Sequence, residues 1–105
     1  MSLHLFHLFK ITEQSLTPDF QEGDFVITLK IPLFFDHYKE GDVIVFDQAS
    51  YGRMIKRVQA VSPEDNSLCV LGSHPNSIDS REFGAVQTQS VLGKVIWHIS
   101  KKASS

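Results

Sequence analysis

Met54-Ile55-Lys56-Arg57-Val58-Gln59-Ala60-Val61 is the stretch on which the reading of this chain turns. Its side chains alternate with period two. Met54, Lys56, Val58 and Ala60 fall on one face, and Ile55, Arg57, Gln59 and Val61 on the other, which is the spacing of a β-strand. Working outward, Ser62-Pro63-Glu64-Asp65-Asn66 reads as a hairpin loop, and residues 68–71 form the returning strand. Upstream, Asp42-Val43-Ile44-Val45-Phe46 is a short apolar strand behind a turn at Gly41. Residues 34–40 read as a loop. Residues 24–31 form a strand rich in β-branched and aromatic side chains, closed by Pro32. Pro18-Asp19 marks a turn, and residues 5–12 are a first strand. Residues 91–99 make the last strand, with Gly93 at a bulge. Short strands at regular spacing with little helical periodicity predict an all-β fold. Its expected form is a barrel-like, coiled antiparallel sheet with at most short helical turns.

The bulk properties set limits on function. A chain of 105 residues makes one domain with a single core, here residues 1–99, followed by a polar tail at 100–105. A net charge of -2 carries no electrostatic footprint for nucleic acid. Cys69 is the only cysteine and lies in Ser67-Leu68-Cys69-Val70-Leu71, so it reads as a strand residue that forms no internal disulfide. Residues 3–11 are apolar but are interrupted by His4, His7 and Lys10. A spanning helix needs about 20 apolar residues, and a secretory signal needs a basic start and a longer apolar run. The chain is therefore expected to be soluble and cytoplasmic, with no membrane span. His4, His7, His37, His74 and His98 have no metal-ligand spacing with cysteines or carboxylates, and there is no phosphate-binding glycine loop. Neither a metal nor another cofactor is expected.

Three short blocks carry the chemistry. Lys56 shares a face with Met54 and Val58, and a lysine among apolar neighbours loses solvation, which lowers its pKa. A neutral amine can then take a proton from a hydroxyl. Taken alone, the same lysine could simply snorkel at a strand edge. The second block is Ser15-Leu16-Thr17-Pro18, followed by Gly23-Asp24. A serine before a proline turn usually bonds its own backbone, and Asp24 reads as a turn residue. The third is Asn76-Ser77-Ile78-Asp79-Ser80-Arg81-Glu82-Phe83-Gly84. Taken alone it is a polar surface loop with a short turn at residues 80–83. On an extended segment, Asp79 and Arg81 would project to one side and could pair.

In order and spacing these blocks resemble the Ser-Lys peptidases related to type I signal peptidases and to the self-cleaving repressors of the SOS response. The resemblance runs from about residue 12 to residue 99. It implies a signal-peptidase-like coiled sheet and a serine endopeptidase with Ser15 as nucleophile and Lys56 as general base. It further implies that Ser77 orients Lys56, that Asp79 and Arg81 form a structural pair, and that the substrate is a protein or peptide bound in extended form. Small residues are expected at the cleavage site, as in Ala-x-Ala. The backbone N–H of Ser15 supplies one oxyanion donor, and the second is not identified. In size and pattern the chain looks most like the compact maturation proteases that process nickel superoxide dismutase precursors. It departs from the pattern at Leu16, where methionine is common, at Gly72-Ser73-His74-Pro75, where Gly-Asp-Asn is typical, and at Glu13, where the families place Gly or Ser. A carboxylate beside an oxyanion hole would repel the developing charge. The alternative reading is a catalytically inactive peptide-binding or regulatory module on the same fold.

Overall fold

The computed structural model describes residues 6–12, 20–30, 38–71 and 78–100. It contains strands β1 (Phe6–Lys10), β2 (Phe25–Leu29), β3 (Val43–Gln48), β4 (Gly52–Ser62) and β5 (Ser67–Leu71). A single helical turn, α1 (Ser80–Phe83), precedes β6 (Val86–Gln87), and a 3₁₀ turn at Thr88–Ser90 leads into β7 (Val91–Ile99). All seven strands belong to one antiparallel sheet in the order β1-β2-β7-β3-β4-β5-β6. The expected coiled, all-β architecture is what the chain adopts. Among the described residues no helix is long and apolar enough to cross a membrane.

The last strand lies in the middle of the sheet. β7 pairs with β2 along one edge and with β3 along the other, so the C-terminal strand joins the N-terminal hairpin β1–β2 to the β3–β4–β5 meander. The β3–β4 hairpin follows from local chemistry. Gln48 Oε1 accepts hydrogen bonds from the backbone N–H groups of Ser50 (2.6 Å) and Tyr51 (2.8 Å). Gly52 pairs with Gln48 at φ 82°, a conformation that favours glycine.

The sheet coils, so its central strands are buried on both faces. Ile44, Phe46, Met54, Val58, Leu68, Val70, Val86 and Val91 form one apolar cluster. Ile11, Val26, Val43, Val45 and Ile55 form a second. β3 sends alternate residues to each cluster, which explains why its sequence is apolar without interruption. On β1, β2 and β7 the face away from the core is apolar and open, with Phe6, Leu8, Trp97 and Ile99 exposed.

Two local features differ from the sequence expectation. The alternation of β4 does not run unbroken. Val58 pairs with Val70 but Ala60 with Cys69, so Gln59 is an extra residue. A bulge of this kind moves the following residues to opposite faces. Ala60 is therefore exposed, and Val61 packs against the Met54–Val58 cluster instead. The second difference concerns residues 79–81, which are not extended throughout. Asp79 is extended, but it caps the helical turn that contains Arg81. At Gly93 the expected bulge is present. Val45 pairs with Gly93 and Phe46 with Val91, leaving Leu92 as the extra residue.

Candidate active site

β4 carries Lys56 into the interior. The side chain is 1% exposed. Its cross-strand neighbour on β3 is Ile44, and Met54 and Val58 flank it on the same face. A lysine held there pays the cost of desolvating an ammonium group, so burial works against the charged form. Arg57, next in sequence, points the other way and reaches the Gly41 carbonyl at 3.3 Å.

Ser15, Glu13 and Ser77 lie outside the described residues. Hydrogen bonds join the backbone on either side of residues 13–19. The N–H of Ile11 donates to the Asp24 carbonyl, and the N–H of Gly23 donates to the Ile11 carbonyl, both at 2.7 Å. These two bonds pin the base of the segment that carries Ser15. Asp24 is buried and orders the turn. Its Oδ2 accepts from the Gln21 N–H at 3.0 Å, while its own N–H donates to the Gln21 carbonyl. His98 Nε2 lies 2.7 Å from the same Oδ2, and its ring stacks against Phe20 at 4.4 Å between centroids. Sequence reasoning did not single out His98. Nothing local could have done so, because Asp24 and His98 are 74 positions apart.

The chain beyond Ser77 is equally well built. Asp79 is fully buried. Its Oδ1 accepts from the Arg81 N–H (3.0 Å) and from Arg81 Nε (2.9 Å), and its Oδ2 accepts from Arg81 Nη2 (2.8 Å). This paired geometry is the bidentate form of the arginine–carboxylate contact. The bond to Asp79, and then its charge, raise the Arg81 pKa above its ordinary value. Ser80 ties the turn to the sheet, its Oγ accepting from the Val70 N–H at 2.9 Å. Ile78 and Phe83 pack on the cluster whose face Lys56 shares. The structure thus brings Asp79 and Arg81 together at a turn held against β5, the strand next to the β4 strand that carries Lys56.

A groove of about 360 Å³ opens between β1 and β4. Phe9, Ile11, Val26, Val45 and Ile55 give it apolar walls, and Arg53 stands among its lining residues. Its walls include Ile11 and Thr12, which lead to the Ser15 segment, and Met54 and Ile55, which lead to Lys56.

The signal peptidase family, peptidase S26, matches residues 1–65. The chain belongs to the signal peptidase family. The matched stretch includes the positions of Ser15 and Lys56 and ends before the Asn76–Gly84 block. A comparison with curated proteins finds no match. Membership in this family places the chain among peptidases, whose substrates are proteins.

Proposed function

We propose that this signal-peptidase-family chain is a serine endopeptidase in which Ser15 is the nucleophile and Lys56 the general base. The observation that carries the proposal is the burial of Lys56 on β4 between Ile44, Met54 and Val58. A surface lysine is protonated at neutral pH and cannot accept a proton. A desolvated one is biased toward the neutral amine. In the proposed reaction, Lys56 Nζ takes the Ser15 Oγ proton as Oγ attacks the peptide carbonyl. The N–H of Ser15 donates to the oxyanion. The tetrahedral intermediate collapses with transfer of the proton to the leaving amine. Water, deprotonated by the Lys56 amine, then attacks the ester carbonyl, and the acyl group leaves as Ser15 Oγ takes the proton back from Lys56.

Ser77 is assigned the task of orienting Lys56 through a hydroxyl. A carboxylate in that place would favour the charged form. The Asp79–Arg81 pair and the Ser80 contact hold the chain on which Ser77 sits. The substrate is proposed to be an extended segment of a protein precursor with small residues at the cleaved bond. The proposal extends to the compact maturation proteases of nickel superoxide dismutase, which the chain resembles in size and pattern. The dyad requires no cofactor.

Ala-rich peptides assayed with the parent protein, Ser15→Ala and Lys56→Met test the reading. Each substitution should abolish turnover while the circular dichroism spectrum stays native, since members of one catalytic unit fail together. Turnover should rise with pH, because only the neutral amine is a base. The midpoint should lie below the ordinary lysine value of about 10.4. Cleavage that persists in Ser15→Ala refutes the nucleophile. Peptide binding without turnover at any pH supports the inactive-module alternative, and Glu13→Gly is then the variant to test for recovered activity.

A further inference from the structure

We propose that Arg53 is a specificity residue of this site, selecting substrate segments that carry a carboxylate next to the side chain seated in the β1–β4 groove. The inference rests on the peptidase reading above and names the class of segment it favours.

Three observations converge on Arg53. The first is its place. It lines the groove and lies three residues before Lys56 on the same strand. The odd spacing puts its side chain on the Ile55 face, opposite that of Lys56, so a peptide running along the edge of β4 would meet both. The second is charge. Among the described residues that line the groove, the charged ones are Lys10 and Arg53, and none is a carboxylate. An extended segment entering there meets apolar walls and a cationic rim.

The third observation is the state of the guanidinium group. Its Cζ lies 5.1 Å from the centroid of the Phe9 ring. That stacking holds the group at the groove without consuming its hydrogen-bond donors. Its carboxylate neighbour is Asp47, reached through Nε alone at 3.4 Å, with both side chains more than half exposed (58% and 56%). An exposed, single-contact pair of this length is weak. Among the described residues the two terminal nitrogens make no hydrogen bond, so they present the paired donors that match a carboxylate. Arg81 shows the contrast within the same chain, since its Nε and Nη2 are both engaged by Asp79. A substrate carboxylate therefore needs to displace only one long contact to Asp47 to gain a bidentate one.

The test uses a set of fluorescent Ala-rich peptides in which Asp, Asn or Lys is placed at each position in turn. Cleavage by the full chain is read as kcat/KM, and binding is read in parallel by fluorescence anisotropy. At one position Asp should exceed Asn by roughly fivefold to tenfold, with Lys lower still, and high salt should narrow the gap. Arg53→Gln should remove the preference. Arg53→Glu should invert it toward Lys. Equal handling of Asp, Asn and Lys peptides overturns the proposal, as does a preference that survives unchanged in Arg53→Glu. If no peptide is cleaved, the peptidase reading fails on its own account. The binding arm then decides the role of Arg53, because tighter binding of the Asp peptide that inverts in Arg53→Glu supports it and equal binding overturns it.

Discussion

Asp79 accepts three hydrogen bonds from one residue while fully buried, and Arg81 remains at the surface. The asymmetry decides what each substitution does. Asp79→Ala removes the cap of α1 and should cost about 0.5–2 kcal/mol, the usual range for losing an N-cap. It leaves no buried charge behind, because the guanidinium is already solvated. Asp79→Asn keeps a capping oxygen and should cost less. Arg81→Ala leaves the buried Asp79 carboxylate without its guanidinium and should cost more than Asp79→Ala. Urea unfolding of the three variants checks the order, and a smaller loss for Arg81→Ala than for Asp79→Ala would contradict it. The raised pKa of Arg81 adds stability that is fully present below the ordinary arginine value. That stability is lost only as pH rises through the still higher folded value. The pair therefore gives no alkaline weakening across the neutral range.

At the scale of elements, the contact between β2 and β7 depends on one missing side chain. A Cβ on Gly93 would lie 2.6 Å from Thr28 Oγ1 and 2.7 Å from Thr28 Cβ. Both residues are buried where β2 and β7 shift register. Gly93→Ala should therefore destabilise the protein by about 1–3 kcal/mol, the cost of overpacking. The expected readout is a lower urea midpoint with an unchanged slope, and an unaltered midpoint would show that the strands separate freely there. The bulge in β4 also belongs to this scale. By placing Gln59 outside the ladder it ends the Met54–Val58 face and lets Val61 close the same cluster. Lys56 sits before the bulge, in the part of the strand whose alternation is regular, so its face could be read from its neighbours.

At the scale of the whole molecule, among the described residues, one coiled sheet buries two apolar clusters and leaves one apolar face open. Equal-looking aromatic residues therefore differ in worth. Phe46 is fully buried in the cluster on the Lys56 face. Phe46→Ala should cost about 3–5 kcal/mol. Trp97 is 62% exposed. Trp97→Ala should cost about 1 kcal/mol or less and mainly change the solubility of the outer β1–β2–β7 face. Thermal unfolding of the two variants measures the difference. A Trp97 effect as large as that of Phe46 would mean that the outer face is covered in solution.

The period-two pattern of β4, the β-branched runs of β2 and β3 and the glycine turns between them were enough to specify the strands, because a half-buried strand must alternate and a fully buried one must not. The same sequence identified Lys56 as a lysine among apolar neighbours, since alternate positions on a strand share a face by geometry. Tertiary structure decided the rest. It put β7 between β2 and β3, paired His98 with Asp24, buried Asp79 as the cap of a helical turn and moved Val61 to the Met54 face. Each of these depends on the element that packs alongside, as β5 does against Ser80 through the Val70 N–H. That is settled by long-range packing, which local residue order does not encode.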